Sequence, residues 1–443
     1  MEGWISLGSA AVPCLMACDT YVCSKHELGC KATPRQSFSA STIVSSESDC
    51  ATVMSSPTHS THSHTRSSSS SSSPPSTSSS GFTSDDPEHD ESVTTVDEQP
   101  LLDPELYKKY GEVELNNGMR MPSIALGTWL AEGAECSFAV AYAIKIAGYR
   151  HIDAAWHYGN ETDIAKGIEA AGVPRSELFL TSKLWSTHHD RVEEALDETL
   201  RNLGTDYLDL YLINWPVALN PNGNHPIFPL LRSGRRDVSY TSDIRETWKA
   251  MEAMVRKGKA RAIGVSNFSK PNLEKVLSVA TIVPAVNQTE IHLFNPEHKL
   301  VEFMREKGIV PQAHTPLGAS RSPLFNHPAV LNLSKKYSAL PSEIVLGYLL
   351  AKGIPVAPKS ANPERIDSNY VGAFAAAPNL DKDDLEELDA VASVGWQRRF
   401  FTPPWPVELG FENWPEMQLS CKLPKRQAGG AVKISQCPCA FPS

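Results

Sequence analysis

No stretch of the chain approaches the roughly 20 consecutive apolar residues that a membrane-crossing helix needs, so the sequence predicts no span. The mildly apolar start, Ile5 to Met16, is broken by Gly8 and Pro13 and lacks the basic flank of a secretion signal. Cys439 is the fifth residue from the C-terminus rather than the fourth, which excludes a prenylation site. Cysteine is almost missing from the middle of the chain. Eight of the nine (Cys14, Cys18, Cys23, Cys30, Cys50, Cys421, Cys437 and Cys439) lie in the terminal segments, and only Cys136 falls in the periodic region. That distribution excludes a disulfide-stapled core and fits no familiar zinc spacing, so free thiols, a cytoplasmic location and no metal are expected. A basic excess is also lacking. Residues 1–100 hold 12 acidic and 4 basic residues, which leaves only −2 of the net −10 for residues 101–443. Charge therefore predicts no nucleic-acid partner.

What is present divides the chain in three. From about Thr33 to Pro100 it is Ser, Thr, Pro and acid, with the run Ser67 to Ser73 and the pair Pro74–Pro75. So little apolar surface cannot offset ordering entropy, and residues 1–106 are predicted to be a disordered tail. His59, His62 and His64 within it are read as solvated side chains. Residues 107–395 are periodic. Asn116-Asn-Gly between Val113 and Met121 predicts a short hairpin. Then short β-rich runs alternate with helical patterns. The runs are Ile124–Thr128, His151–Ala155, Leu178–Leu184, Leu208–Trp215, Ala260–Ser266, Ala285–Ile291, Val310–His314 and Pro355–Pro358. Phe138–Ala147, Ile164–Ala171, Val192–Leu203, Ile244–Val255 and Ile344–Leu350 carry apolar residues at helical spacing. Strand–helix alternation of this length predicts a closed (β/α)8 barrel of the TIM type. The competing open doubly wound sheet wants a Gly-x-Gly-x-x-Gly after its first strand, and the chain has none. Residues 396–443 are read as a loop and tail, with the aromatic, proline-rich part able to fold over the barrel mouth.

In such a barrel, chemistry sits at the C-terminal ends of the strands. Those ends carry Trp129, Asp153 with Tyr158 just beyond, Lys183, Asn214, Ser266-Asn267, Gln288, His314 and Lys359. One polar residue at a strand end is ordinarily a solvated loop residue. A consecutive series of such ends is not explained that way.

This constellation resembles the aldo-keto reductase family, in its branch of fungal aldehyde, glycerol and sugar reductases, over residues 111–395. The resemblance rests on Gly148-Tyr-Arg-His-Ile-Asp-Ala-Ala-Trp-His-Tyr-Gly-Asn-Glu161, Leu203-Gly-Thr-Asp-Tyr-Leu-Asp-Leu-Tyr-Leu-Ile-Asn-Trp-Pro216, Gly264-Val-Ser-Asn-Phe268 and Pro358-Lys-Ser-Ala-Asn-Pro-Glu-Arg-Ile-Asp-Ser-Asn369. It implies NADPH-dependent reduction of an aldehyde or ketone, a small-molecule carbonyl partner and a monomer. Three of the family's four catalytic residues carry over to Asp153, Tyr158 and Lys183. A free phenol titrates near pH 10, so Lys183 is expected to lower the pKa of Tyr158, with Asp153 holding the lysine. The fourth position departs from the pattern: Asn214 stands where the family usually has His. An amide can donate a hydrogen bond but cannot titrate, and some branches with Asn there bind nucleotide and turn over slowly. His157 either supplies an imidazole to the pocket or points outward.

The resemblance also implies the cofactor contacts. Ser266, Asn267 and Gln288 correspond to the nicotinamide carboxamide site, His314 to the usual stacking tyrosine, and Thr128, Thr315 and Leu317 to further cofactor contacts. Lys359, Ser360 and Arg365 correspond to the clamp on the adenosine 2′-phosphate, with Asn369 toward the adenine. A guanidinium and an ammonium on one phosphate favour NADPH over NADH. Trp129, His157, Trp185 and Trp215 are expected to line the substrate pocket. Two readings follow: an active reductase, or a nucleotide-binding regulatory protein with little turnover.

Overall fold

A computed structural model describes residues 103–318, 322–394, 397–412 and 414. The predicted tail and the last residues from Pro415 lie outside them, except that the tail's end is helical. Asp103 accepts from the Glu105 amide at 2.9 Å and caps α1, Pro104–Tyr110. The boundary at residue 106 therefore moves back. Asp-Pro is a helix start here, because proline's fixed φ and missing N–H suit the first helical turn.

The hairpin forms as expected. β1 (Glu112–Glu114) pairs antiparallel with β2 (Arg120–Pro122), and the turn places Gly118 at φ 81°, in the left-handed region. Eight parallel strands then pair strictly in chain order. They are β3 (Leu126–Gly127), β4 (His151–Asp153), β5 (Phe179–Leu184), β6 (Leu208–Ile213), β7 (Ala260–Ser266), β8 (Val286–Glu290), β9 (Val310–His314) and β10 (Val356–Ala357). The first and last meet: Ile124 bridges Val356, Gly127 bridges Lys359, and the Gly127 amide donates to the Pro358 carbonyl at 2.9 Å. A Cβ on Gly127 would stand 3.0 Å from the Ala357 carbonyl oxygen, so glycine suits this seam. The (β/α)8 barrel is thus what the alternation predicted.

Around it run α2 (Gly133–Lys145), α3 (Glu161–Ala171), α4 (Val192–Leu203), α5 (Ile244–Arg256), α6 (Lys270–Leu277), α7 (His298–Glu306), α8 (Pro328–Tyr337), α9 (Pro341–Ala351), α10 (Pro363–Asp367), α11 (Ala373–Ala376) and α12 (Lys382–Asp389). In α4 the buried residues are Val192, Ala195, Leu196, Thr199, Leu200 and Leu203, a stripe at helical spacing. Glu193 and Glu194 open that helix, Arg201 lies in its last turn, and left-handed Gly204 ends it. No described helix is long and apolar enough to cross a membrane.

The hairpin closes one end of the barrel. Leu115 and Met121 pack on Phe179, Leu210, Leu212, Ala262 and Val286 in an apolar cluster at the floor. Burial of each such large side chain is worth about 1.5–3 kcal/mol. Over the opposite end lie two irregular segments. The loop from Val217 to Thr241 is pinned by Trp185 Nε1 donating to the Ile227 carbonyl at 2.7 Å and Thr187 Oγ1 to the Pro226 carbonyl at 2.9 Å. The segment after α12 is held by Glu290, which accepts from the amides of Phe400 at 2.5 Å and Phe401 at 2.9 Å, and by Arg399, whose guanidinium bonds Glu297. Phe401 stacks on Trp215 at 5.9 Å, and Trp405 packs 5.4 Å from it.

Candidate active site

Parallel pairing in chain order brings the strand ends together into one network of polar groups. Asp153 closes β4, and both its carboxylate oxygens are engaged. Lys183 Nζ, from β5, donates to Oδ1 at 2.5 Å, and Gln288 Nε2, from β8, donates to Oδ2 at 2.6 Å. Lys183 also donates to the Ala154 carbonyl at 2.9 Å. Both members of the ion pair are almost wholly enclosed, with side chains 2% and 5% exposed. A buried pair offsets its desolvation better when further hydrogen bonds support it, as the Ala154 carbonyl does for Lys183 and Gln288 for Asp153.

Tyr158 ends the turn Trp156–Tyr158, closed by Gly159 at φ 70°. The half-buried tyrosine touches Trp129 at 4.7 Å and His157 at 4.6 Å, and Lys183 Nζ lies 5.4 Å from its ring centre. The sequence led us to expect an ammonium lowering this phenol's pKa. The structure gives the opposite direction. Burial, and then the Asp153 carboxylate, hold Tyr158 well above its ordinary value. The Lys183 cation faces the carboxylate, and burial lowers the lysine's own pKa against the raising effect of Asp153. Tyr158 is accordingly a neutral phenol that keeps its proton at neutral pH.

Asn214 follows β6, and its Nδ2 donates to His157 Nδ1 at 3.0 Å. His157 is buried and stacks on Trp185 at 4.1 Å, so it points inward. Burial, then the charges of Lys183 and Arg236, hold its pKa well below the ordinary histidine value. Arg236 escaped the sequence reading. It is buried in the long loop, with its guanidinium 4.1 Å over the Phe228 ring.

The other strand ends join the same set. Asn267 Nδ2 donates to the Asn214 carbonyl at 2.9 Å and to Ser266 Oγ at 3.2 Å, while Ser266 Oγ donates to the Gln288 carbonyl at 2.8 Å. His314 Nε2 bonds Asn267 Oδ1 at 2.8 Å, and its Nδ1 lies 3.0 Å from Thr315 Oγ1. Burial lowers the pKa of His314 to about 4, so its ring is neutral and apolar-faced. Asn267 and Thr315 sit in the left-handed region, at φ 62° and 53°. For a β-branched threonine this conformation is strained by about 1–3 kcal/mol, the kind of strain that collects at functional sites. Thr128 Oγ1 donates to the Asp153 carbonyl at 2.9 Å, and Leu317 is half-buried beyond Thr315.

Lys359, Ser360, Arg365 and Asn369 form a second group beyond β10. Ser360 Oγ accepts from the Asn362 amide at 3.1 Å, and Asn362 Oδ1 accepts from the Arg365 amide at 3.0 Å, which ties the turn. Ser360 and Asn369 are buried. Lys359 and Arg365 are exposed, and neither forms a salt bridge among the described residues. Two unengaged cations on one ordered turn suit a polyanionic ligand.

Comparison with known proteins identifies the relatives of the chain. The model of the Aldo/keto reductase family matches residues 123–393. A D-galacturonate reductase of Hypocrea jecorina is 42% identical over 305 residues, 67% of this chain and 97% of that protein. A glycerol 2-dehydrogenase (NADP(+)) of Saccharomyces cerevisiae is 39% identical over 305 residues, 67% of this chain and 96% of that protein. Among solved structures, the aldose reductase from Schistosoma japonicum superposes with a TM-score of 0.60 at 36% identity, covering 66% of this chain and 94% of that one.

Proposed function

The chain belongs to the aldo/keto reductase family, and from that premise we propose that it reduces a hydroxylated aldehyde or ketone to the alcohol with NADPH. The observation that carries this reading is the enclosed set of Asp153, Lys183 and Gln288 beside a protonated Tyr158. Tyr158 is the general acid. The carbonyl oxygen takes its proton while the carbonyl carbon takes a hydride, and solvent returns a proton to the phenol afterwards. Help of this kind is typically worth about 10² to 10⁴ in rate. Lys183 steadies the phenolate left behind, and Asp153 with Gln288 fixes the lysine. That transient anion is where the ammonium matters, rather than in the resting phenol.

The residues present fit NADPH. Lys359 and Arg365 are cations without carboxylate partners among the described residues, and Ser360 falls between them in the sequence. That donor set is suited to a 2′-phosphate. Ser266, Asn267 and Gln288 would hold the nicotinamide carboxamide, with His314 against the ring and Thr128, Thr315, Leu317 and Asn369 along the rest. When bound, the reduced dinucleotide supplies the hydride. Trp129, Trp185 and Trp215 wall the substrate space, with His157 among them. Aromatic walls exclude water and accept carbonyl compounds broadly. The names of the fungal relatives direct the choice toward polyhydroxylated carbonyls.

The test is NADPH oxidation by purified protein with uronates, short hydroxyaldehydes, hydroxyketones and aromatic aldehydes, against a Tyr158→Phe control. We expect turnover with at least one hydroxylated substrate and a loss of about 10² to 10⁴ in kcat in the control. Tight NADPH binding with no oxidation above that control would instead make the chain a nucleotide-binding partner with little turnover.

A further inference from the structure

The reductase reading gives the buried His157 no role beyond lining the substrate space. His157 is 3% exposed, yet it is held by more than shape. Its ring stacks on Trp185 at 4.1 Å with 19° between planes, meets Tyr158 edge-on at 4.6 Å and lies 5.3 Å from Trp129. Those contacts fix the ring plane. The hydrogen bond from Asn214 fixes the proton. An amide nitrogen only donates, so the Nδ1 at 3.0 Å must accept, and a neutral imidazole then carries its hydrogen on Nε2. Nε2 has no hydrogen-bond partner among the described residues, and it is not one of the fully enclosed unpartnered atoms. Nearly all polar atoms at such depth find a partner. The imidazole itself packs against the rings of Trp129 and Tyr158, beside which the substrate carbonyl has to lie if Tyr158 is its acid.

We propose that His157 is the second hydrogen-bond donor to the substrate oxygen, through Nε2–H beside the Tyr158 hydroxyl, and that Asn214 is the positioning residue that sets its tautomer. The proposal rests on the reading of Tyr158 as the general acid. No proton leaves His157 in the cycle. Its Nε2–H stabilises the negative charge that develops on the carbonyl oxygen while Tyr158 delivers the proton. Lys183 and Arg236, the cations that bear on His157, both disfavour imidazolium, which suits a neutral donor over a titrating acid. A ring nitrogen from the turn after β4 thereby supplies the contact that a side chain after β6 only directs.

Steady-state kinetics with NADPH and the best substrate of the panel tests this. His157→Asn keeps a polar group near the Nδ1 position but reaches no further, and kcat should fall about 10²-fold, the loss typical of one oxyanion donor. His157→Gln places an amide N–H near the Nε2 position and should recover most of that loss, to within about tenfold of wild type. Asn214→Leu alone should lower kcat about tenfold by freeing the tautomer, with little further loss in the His157→Gln background. Fluorescence titration with NADPH, unchanged across the set, reads intact folding and cofactor binding. A wild-type kcat in His157→Asn, with Tyr158→Phe inactive, overturns the proposal and leaves the reductase reading standing. An Asn214→Leu loss undiminished in the His157→Gln background also overturns it, since the donor would then be the Asn214 amide. A wild-type rate in Tyr158→Phe brings down the underlying reading, and this proposal with it.

Discussion

The two ends of this barrel are made by the same strands and have opposite characters. At the floor, the hairpin presses Leu115 and Met121 onto Phe179, Leu210, Leu212 and Val286, with no charge among them. At the mouth, Asp153, Lys183, Asn214, Ser266, Asn267, Gln288 and His314 form one chain of hydrogen bonds. Each polar member there costs desolvation that an apolar residue would not. The floor therefore stabilises, and the mouth spends part of that stability on holding groups in place. A third region, the exposed turn with Lys359 and Arg365, belongs to neither end, and we propose that it holds the cofactor's phosphate.

The largest expected effect strikes the mouth in both stability and rate. Lys183→Met removes the cation and leaves the Asp153 carboxylate enclosed with only Gln288 and its surroundings. Breaking a buried pair on one side costs about 3–5 kcal/mol, so the urea midpoint should fall sharply together with kcat. If Lys183→Met unfolds at the wild-type urea concentration, the mouth pair is solvated and the contrast fails. Leu115→Ala is the complementary cut. A buried leucine truncated to alanine costs about 2–5 kcal/mol, while kcat per folded molecule should stay at the wild-type value. A parallel loss of kcat would mean that the floor transmits to the mouth, and the two ends would not be separable.

Much of this contrast is legible in the sequence, because it follows the strand period. β7 and β9 have the bounds that their apolar runs predict, Ala260–Ser266 and Val310–His314, and the polar residue after each run falls at the mouth. What the sequence does not carry is who meets whom across the barrel. Gln288 lies 135 residues from the carboxylate that it bonds, and His157 lies 57 from Asn214. Such pairs are set by strand stagger and loop path, which no spacing rule encodes. The direction of the Tyr158 shift was misread for a related reason. Adjacency to a lysine suggests a lowered pKa, but the balance depends on how deeply the phenol is buried and on which group the ammonium faces. Arg236 and the Glu290–Arg399 anchor went unseen because loops carry no period.

The outer turn should respond in a third way. Arg365→Ala removes an exposed cation without a salt-bridge partner among the described residues, so stability should hardly move. The KM for NADPH should rise about 10- to 100-fold, the value of a hydrogen bond to a charged group, with the KM for NADH and kcat nearly unchanged. An equal rise for both cofactors would place Arg365 away from the 2′-phosphate and undo the assignment of this turn.

The smallest effect is a pH dependence of stability, and it sharpens the cost of a polar mouth. His189, in the turn after β5, is buried, and burial followed by the neighbouring His188 lowers its pKa to about 3. A histidine depressed in this way stays neutral in the fold while the unfolded chain takes up a proton near pH 6.5. Folding stability is therefore complete above pH 6.5 and declines as the pH falls below it. The decline continues until the folded pKa near 3 is reached, when the native state also binds the proton. Each pH unit in that window costs about 1.4 kcal/mol per such group. His189→Gln should flatten the loss of urea midpoint between pH 7 and pH 5 by that order, leaving the midpoint slope from the other buried histidines. An unaltered slope in the variant would show that His189 is solvated enough to titrate normally, and the turn after β5 would then be less buried than the structure has it.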